Sequence, residues 1–142
     1  DRIYKWLVPF REGKLVAKNQ KMEATIQTAL EPATILLTTD KKQLNSDGYD
    51  VAHIIARLFD KKGNPVLHSN KKITFSIQGN VRSLGVDNGS NTNPGPYNSN
   101  TVITNNGIAM LIVQSNKGAK GAVKVKALGN VLSSNAIELN FE

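Results

Sequence analysis

Val51-Ala52-His53-Ile54-Ile55-Ala56-Arg57-Leu58-Phe59 decides how the rest of this sequence is read. Ala52, Ile54, Ala56 and Leu58 recur at every second position, so they share one face of an extended strand. His53 and Arg57 fall on the other face, beside Val51, Ile55 and Phe59. The same period runs through Ile73, Phe75 and Ile77, with Thr74 and Ser76 between them. It returns at Val123 and Val125, which alternate with lysine, and at Ile137, Leu139 and Phe141, which alternate with Glu138 and Asn140. Such patterning sets apolar side chains on one sheet face and polar ones in water. Ala109-Met110-Leu111-Ile112-Val113 is apolar throughout and fits a central strand or a short buried helix. Its length and the nearby Gly107 favour the strand.

Between these runs lie Asp47-Gly48, Lys62-Gly63-Asn64-Pro65, Asn88-Gly89, Asn106-Gly107 and the stretch from Gly118 to Gly121, all turn chemistry. Strands recurring with this punctuation predict an all-β protein, an antiparallel β-sandwich of immunoglobulin-like type. The paired cysteines and core tryptophan of antibody domains are absent. Phe59, Phe75 and Phe141 fall in strand patterns and are expected in the core. The first thirty residues behave differently. Tyr4-Lys5-Trp6-Leu7-Val8-Pro9-Phe10 is strand-like, Arg11-Glu12-Gly13 turns, Leu15-Val16-Ala17 restarts, and residues 23–30 form another short strand. Threonines at 25 and 28 make helix the weaker reading there. Glu31-Pro32 then breaks the pattern, because proline holds its predecessor extended, and a linker fits at that point.

The 142 residues suffice for one domain, or one domain plus a fragment. Because the sequence opens Asp1-Arg2-Ile3, with neither an initiator methionine nor an apolar signal segment, it is expected to be a piece of something longer. Apolar residues at 39% and charged residues at 20% make a globular composition. No apolar stretch approaches the ~20 residues of a membrane-spanning helix. The absence of cysteine removes disulfides, thiolate metal sites and cysteine nucleophiles, and leaves the compartment open. A net charge of +7 raises the question of nucleic acid. The lysines, however, come as pairs beside turns (Lys41-Lys42, Lys61-Lys62, Lys71-Lys72) or alternate with valine on a strand. No basic helix and no interleaved aromatics accompany them, so a solvated basic surface is expected and a nucleic-acid partner is not.

Motifs for nucleophilic, metalloprotease or phosphate-binding chemistry are missing. His53 and His68 have no second histidine at ligand spacing, and the five glutamates show no pairing by position. Asn45-Ser46-Asp47-Gly48-Tyr49-Asp50 carries oxygens at alternating positions like the start of a calcium loop, but lacks the closing glutamate, and turn chemistry explains it without an ion. The long polar stretch from Asp87 to Tyr97 reads as a surface loop between strands. Aromatics are only 6%, and Trp6, Tyr4, Tyr49 and Tyr97 are thin material for a sugar-binding platform. The candidate partner or ligand contacts are Asp87, Asn88, Tyr97 and Trp6. No residue is assigned to catalysis, metal or cofactor, and no cofactor is implied.

Several segments together resemble a known family. They are Leu37-Thr38-Thr39-Asp40, the run from Leu44 to Ala52, and Phe59-Asp60-Lys61-Lys62-Gly63-Asn64-Pro65-Val66. The likeness continues through Ile73 to Gly79, Leu84-Gly85-Val86-Asp87-Asn88-Gly89, Gly107 to Ser115 and Gly121 to Val125. This pattern, with Gly85-Val86-Asp87-Asn88-Gly89 its most specific piece, resembles the immunoglobulin-like accessory domain near the C-terminus of bacterial glycoside hydrolase family 2 enzymes, mostly β-galactosidases. The resemblance covers about residues 33–142. Residues 1–32, with Trp6-Leu7-Val8-Pro9-Phe10 and Gly13-Lys14-Leu15, look like the end of a preceding β-sandwich module plus a linker. At Asn93-Pro94-Gly95-Pro96-Tyr97-Asn98 the sequence departs from the family's usual serine, glutamate and aromatic-lysine continuation, so no contact made there by relatives transfers. The resemblance implies a noncatalytic structural or docking domain, because the family's catalytic glutamates lie in a (β/α)₈ barrel that this chain does not contain. It implies the parent enzyme's neighbouring domains as partners, with carbohydrate as a further candidate and a periplasmic or secreted parent. The rival readings are a carbohydrate-binding module and an invasin-like surface adhesion repeat.

Overall fold

In the computed structural model, which describes residues 3, 5–92 and 95–142, every helix or strand assigned is a strand. Nothing among the described residues forms a helix long and apolar enough to cross a membrane. A hairpin of β1 (Lys14–Lys18) and β2 (Glu23–Gln27) comes first. Then follow β3 (Pro32–Thr39), β4 (Gln43–Leu44), β5 (Val51–Asp60), β6 (Lys72–Gln78) and β7 (Val81–Asp87). The chain continues with β8 (Thr101–Ile103), β9 (Ile108–Ser115), β10 (Ala122–Gly129) and β11 (Ile137–Phe141).

Two sheets share one core. One has the order β3-β5-β9-β7 and the other β4-β11-β10-β6-β8. The alternation in β5 works as its residue types dictate: Ala52, Ile54, Ala56 and Leu58 point inward and are buried. Ala109, Leu111 and Val113 of β9 do the same, and the continuously apolar run is a central strand, bonded to β5 on one side and β7 on the other. The facing sheet contributes Ile73, Phe75, Val123, Val125 and Leu139 to the same cluster. The paired strands of the sandwich are antiparallel except β4, which runs parallel to β11 through Gln43 opposite Asn140 and Leu44 opposite Phe141; Ile35 of β3 also makes an isolated parallel bridge to Ser134.

Two expectations are corrected. Phe59 lies on the outer face of β5 and is half-buried, because it occupies the odd register of a strand whose even positions fill the core. Phe141 is half-buried against the cluster, and Phe75 is buried within it. The strand expected from Tyr4 to Phe10 does not form over residues 5–10; Tyr4 itself lies outside the described residues. The hairpin is made instead by β1 and β2, with Leu15 opposite Ile26.

Between β8 and β9 the chain reverses in a two-residue turn. Asn105 and Ile108 exchange N–H···O bonds of 2.9 and 3.0 Å, while Asn106 and Gly107 take φ of 50° and 72°. That is the Asn-Gly hairpin geometry the dipeptide favours. Glycine is required for a second reason, since a Cβ at 107 would stand 1.9 Å from the Val66 carbonyl oxygen.

Phe75, at 2% exposure, is the largest fully buried side chain of the core. Phe75→Ala should therefore lower the unfolding free energy by about 3–5 kcal/mol, measured by urea or guanidinium titration. A loss below about 1 kcal/mol, typical of surface substitutions, would mean that this face of β6 is not in the core.

Candidate functional site

Three of the four candidate contact residues share one loop. Asp87 ends β7, and its Oδ1 accepts the N–H groups of Asn88 at 2.6 Å and Gly89 at 3.1 Å. Asn88 accepts from the Ser90 N–H at 2.9 Å and donates through Nδ2 to the Ile103 carbonyl at 2.8 Å. Both side chains thus tie the loop to itself, and Asn88 also ties it to β8. Tyr97 contributes its carbonyl, which accepts the Val86 N–H at 2.8 Å, while the residue is 57% exposed. This crossing is close: Gly85, the paired residue after the bulge in β7, has φ of 147°, and a Cβ on it would come within 2.2 Å of the Tyr97 oxygen. Asn93 and Pro94 of the same loop lie outside the described residues. Beside the loop is an open groove of about 430 Å³, lined by Val86, Pro96, Ser99, Val102 and Ile103, with Lys72 at its edge. Trp6 belongs to a different element, the segment before the β1–β2 hairpin. Trp6, Leu7 and Val8 are all more than half exposed, so the sandwich of the same chain leaves most of their surface open.

The suspected calcium loop is a set of turns. Asp47 Oδ1 accepts the N–H groups of Tyr49 and Asp50 at 2.8 and 2.9 Å, and these donors, Tyr49 foremost, lower its pKa. Asp50 takes the Lys41 ammonium group and the Asn45 N–H, and Lys41 is the main reason that its pKa is lowered. Their carboxylate oxygens face these donors. Among the described residues no group of three or more His, Asp or Glu side chains is arranged to hold a metal. His53 is bonded through Nδ1 to Asp40 at 2.7 Å.

Sequence reasoning missed Asp60. It occupies the next inward register of β5 after Leu58 and is buried, at 2% exposure. Its carboxylate accepts the N–H of Leu30 at 2.9 Å, those of Lys62 and Asn64 at 2.8 Å, and the Asn64 side-chain amide at 3.1 Å. One side chain thereby closes the turn after β5 and fastens the linker just ahead of Pro32. The Leu30 N–H is the first cause that holds its pKa down at about 2, while burial pushes the other way and Asn64 and Lys62 add to the lowering. The available signal was an aspartate at an inward position followed four residues later by asparagine. The partner at Leu30 leaves no trace in local sequence.

Two strand layers around a shared apolar core, with these loops at the ends, define an immunoglobulin-like β-sandwich module. Residues 35–138 match the family described as glycoside hydrolase family 2 C-terminal domain 5, and the chain belongs to that family. The protein named beta-galactosidase BoGH2A, from Bacteroides ovatus, is 30% identical over 142 residues, which take in 96% of this chain and 17% of that protein. A solved glycosyl hydrolase family 2 member from Bacteroides cellulosilyticus superposes with a TM-score of 0.85 at 28% identity, over 95% of this chain and 18% of its own. A solved β-glucuronidase from glycoside hydrolase family 2 matches with a TM-score of 0.80 at 25% identity, over 95% of this chain and 15% of that one. The chain therefore spans less than a fifth of each of these relatives.

The Asp60 carboxylate makes acid stability a direct readout of the linker clamp. An unfolded aspartate titrates near ~3.9, and the folded one near 2. Its contribution is complete above about pH 4 and is lost as pH falls through about 2. Asp60→Asn should melt below the unsubstituted chain at pH 7, and the difference should close between pH 4 and pH 2 in thermal scans. A difference that stays constant across that range would show that the charge on Asp60 is not what holds the corner.

Proposed function

We propose that this chain is a noncatalytic accessory module at the C-terminal end of a family 2 glycosidase, docking on neighbouring domains of the same polypeptide. The observation that carries the reading is the family match across residues 35–138, in a chain that spans less than a fifth of its relatives. The chemistry of the chain supports it: Asp40, Asp47, Asp50, Asp60 and Asp87 accept internal N–H groups or ion pairs, and no motif for a nucleophile is present. β-Galactosides are the substrate class we assign to the parent, after the name of the Bacteroides ovatus relative. β-Glucuronides are the competing outcome, after the solved β-glucuronidase.

A carbohydrate-binding role is the weaker reading, because the exposed aromatics lie on separate elements. Trp6 and Phe10 precede the hairpin, Tyr49 sits in the turn before β5, and Tyr97 in the loop after β7. An adhesion repeat is disfavoured by the family match. We place the module boundary at Pro32, with residues 1–32 as the end of a preceding sandwich plus linker and 33–142 as the immunoglobulin-like domain. The separateness of the hairpin supports this: β1 and β2 form a two-stranded sheet of their own, and all but one of their ten residues are exposed.

Purified residues 1–142 should hydrolyse neither aryl β-galactosides nor aryl β-glucuronides. Turnover above a buffer blank that survives repurification would overturn the noncatalytic assignment. A truncation beginning at Ala33 loses the Leu30 bond to Asp60, so it should melt below the full chain. It should still unfold in one cooperative transition and sediment as a monomer. An unfolded truncation would place the hairpin inside the sandwich domain and move the boundary.

A further inference from the structure

The two outer faces of this sandwich differ. On the five-stranded sheet, outward cross-strand pairs are mostly polar: Lys124 faces Glu138 and Gln78, Lys126 faces Ser76 and Thr74 faces Thr101, while Leu128 opposite Thr74 and Ile103 opposite Lys72 are exposed apolar residues set singly among them. That is the solvated surface an antiparallel sheet ordinarily presents. On the four-stranded sheet, outward positions are apolar across the middle. Ile55 faces Met110, Ile112 faces His53, and Leu84, the unpaired residue of the β7 bulge, sits between the partners of Val113 and Ile112. Leu36 on β3 and Leu84 are 42% and 41% exposed. Strands apolar on both sides, as β9 is, belong to sheets covered on both sides.

The backbone indicates what kind of cover is missing. The chain itself closes the β3 edge of this sheet and crosses the β7 edge at one point. The Val86 N–H of β7 bonds to the Tyr97 carbonyl. On β3, the Ile35 N–H goes to the Ser133 carbonyl, and Leu37 exchanges bonds with the Asn135 side chain at 2.8 and 3.2 Å. An added peptide strand finds no free ladder along β3 and an interrupted one along β7, and the apolar outward side chains in the middle of the sheet call for side-chain cover from a folded surface. Its rim carries Arg57 and Arg82 together with Asp87, opposite Met110, and Asp40, bonded to His53.

We propose that the outer face of the β3-β5-β9-β7 sheet seats another domain of the same enzyme polypeptide, through an apolar patch. The inference rests on the docking reading above and adds the face. The relatives carry more than four-fifths of their length outside this module. The N-terminal segment enters the sandwich through Pro32 at the start of β3, a strand of this same sheet. A domain tethered there meets the face at high effective concentration, so a modest apolar patch suffices.

Hydroxyl-radical footprinting of the 142-residue chain and of the full-length enzyme tests it. Oxidation of Leu36, Leu84 and Met110 should fall several-fold in the full-length enzyme, while Leu128 and Ile103 on the opposite face stay unchanged. Leu84→Asp should leave the melting temperature of the isolated chain unaltered, yet restore labelling of Leu36 and Met110 in the full-length enzyme. Protection of Leu128 and Ile103 instead would overturn the choice of face and leave the docking reading standing. Protection of neither face would overturn both. Labelling of Leu36 and Met110 that falls as the isolated chain is concentrated would make the occupant a second copy and overturn the proposal.

Discussion

Everything in this sandwich is arranged around the inward register of β5. Ala52, Ile54, Ala56 and Leu58 enter a layer about 10 Å thick, and all are buried. Alanine opposite alanine, at Ala56 and Ala109, keeps the middle of that sheet low, so bulkier residues such as Phe75 can fill the layer. The same register carries Asp60 into the interior one step after Leu58. A carboxylate brought inside needs hydrogen-bond donors, and the nearest backbone N–H groups are those of the following turn and of the linker. The corner where the N-terminal segment joins the sandwich is thus a consequence of strand periodicity.

The elements legible in the sequence are those whose signal is local. Period-two alternation located β5, β6, β10 and β11, and Asn106-Gly107 located a turn whose dihedral angles only a few residue types tolerate. The continuous run in β9 could be read as a strand, but its two-sided apolarity carried a further meaning that only the sheet order brings out. Contacts between segments distant in sequence were not legible. Two residues, Gln43 and Leu44, make no pattern, and become a strand only because β11 passes beside them. Tyr4 to Phe10 has strand composition, yet composition does not supply a partner, and no strand forms over residues 5–10.

The candidate contact residues divide along the same line. Asp87 and Asn88 stand out in sequence as polar residues ahead of a glycine, and the structure places their polar atoms in loop closure. Local turn chemistry and ligand contact use the same residue types, so composition alone does not separate them. Leu36, Leu84, Ile112 and Met110 were unremarked as contacts because each looks like core until its side of the sheet is known. A docking surface made of outward residues on an otherwise ordinary sheet is visible only after the inner face has been assigned.

The parallel pairing of β4 with β11 has a kinetic consequence. Leu44 is fully buried, its carbonyl accepts the Glu142 N–H, and the Ser46 N–H returns to the Glu142 carbonyl. The stretch that follows β3 is therefore locked by the last of the eleven described strands to leave the ribosome. Until β11 arrives, β10 has an open side and Leu44 lacks its strand partner, so a nascent module can pair its inner strands but cannot close the sheet. Non-local closure of this kind belongs to the millisecond-to-second regime of β-sandwich folding. During vectorial synthesis it leaves apolar surface open for that interval, when a chaperone or an already folded part of the same chain can shield it.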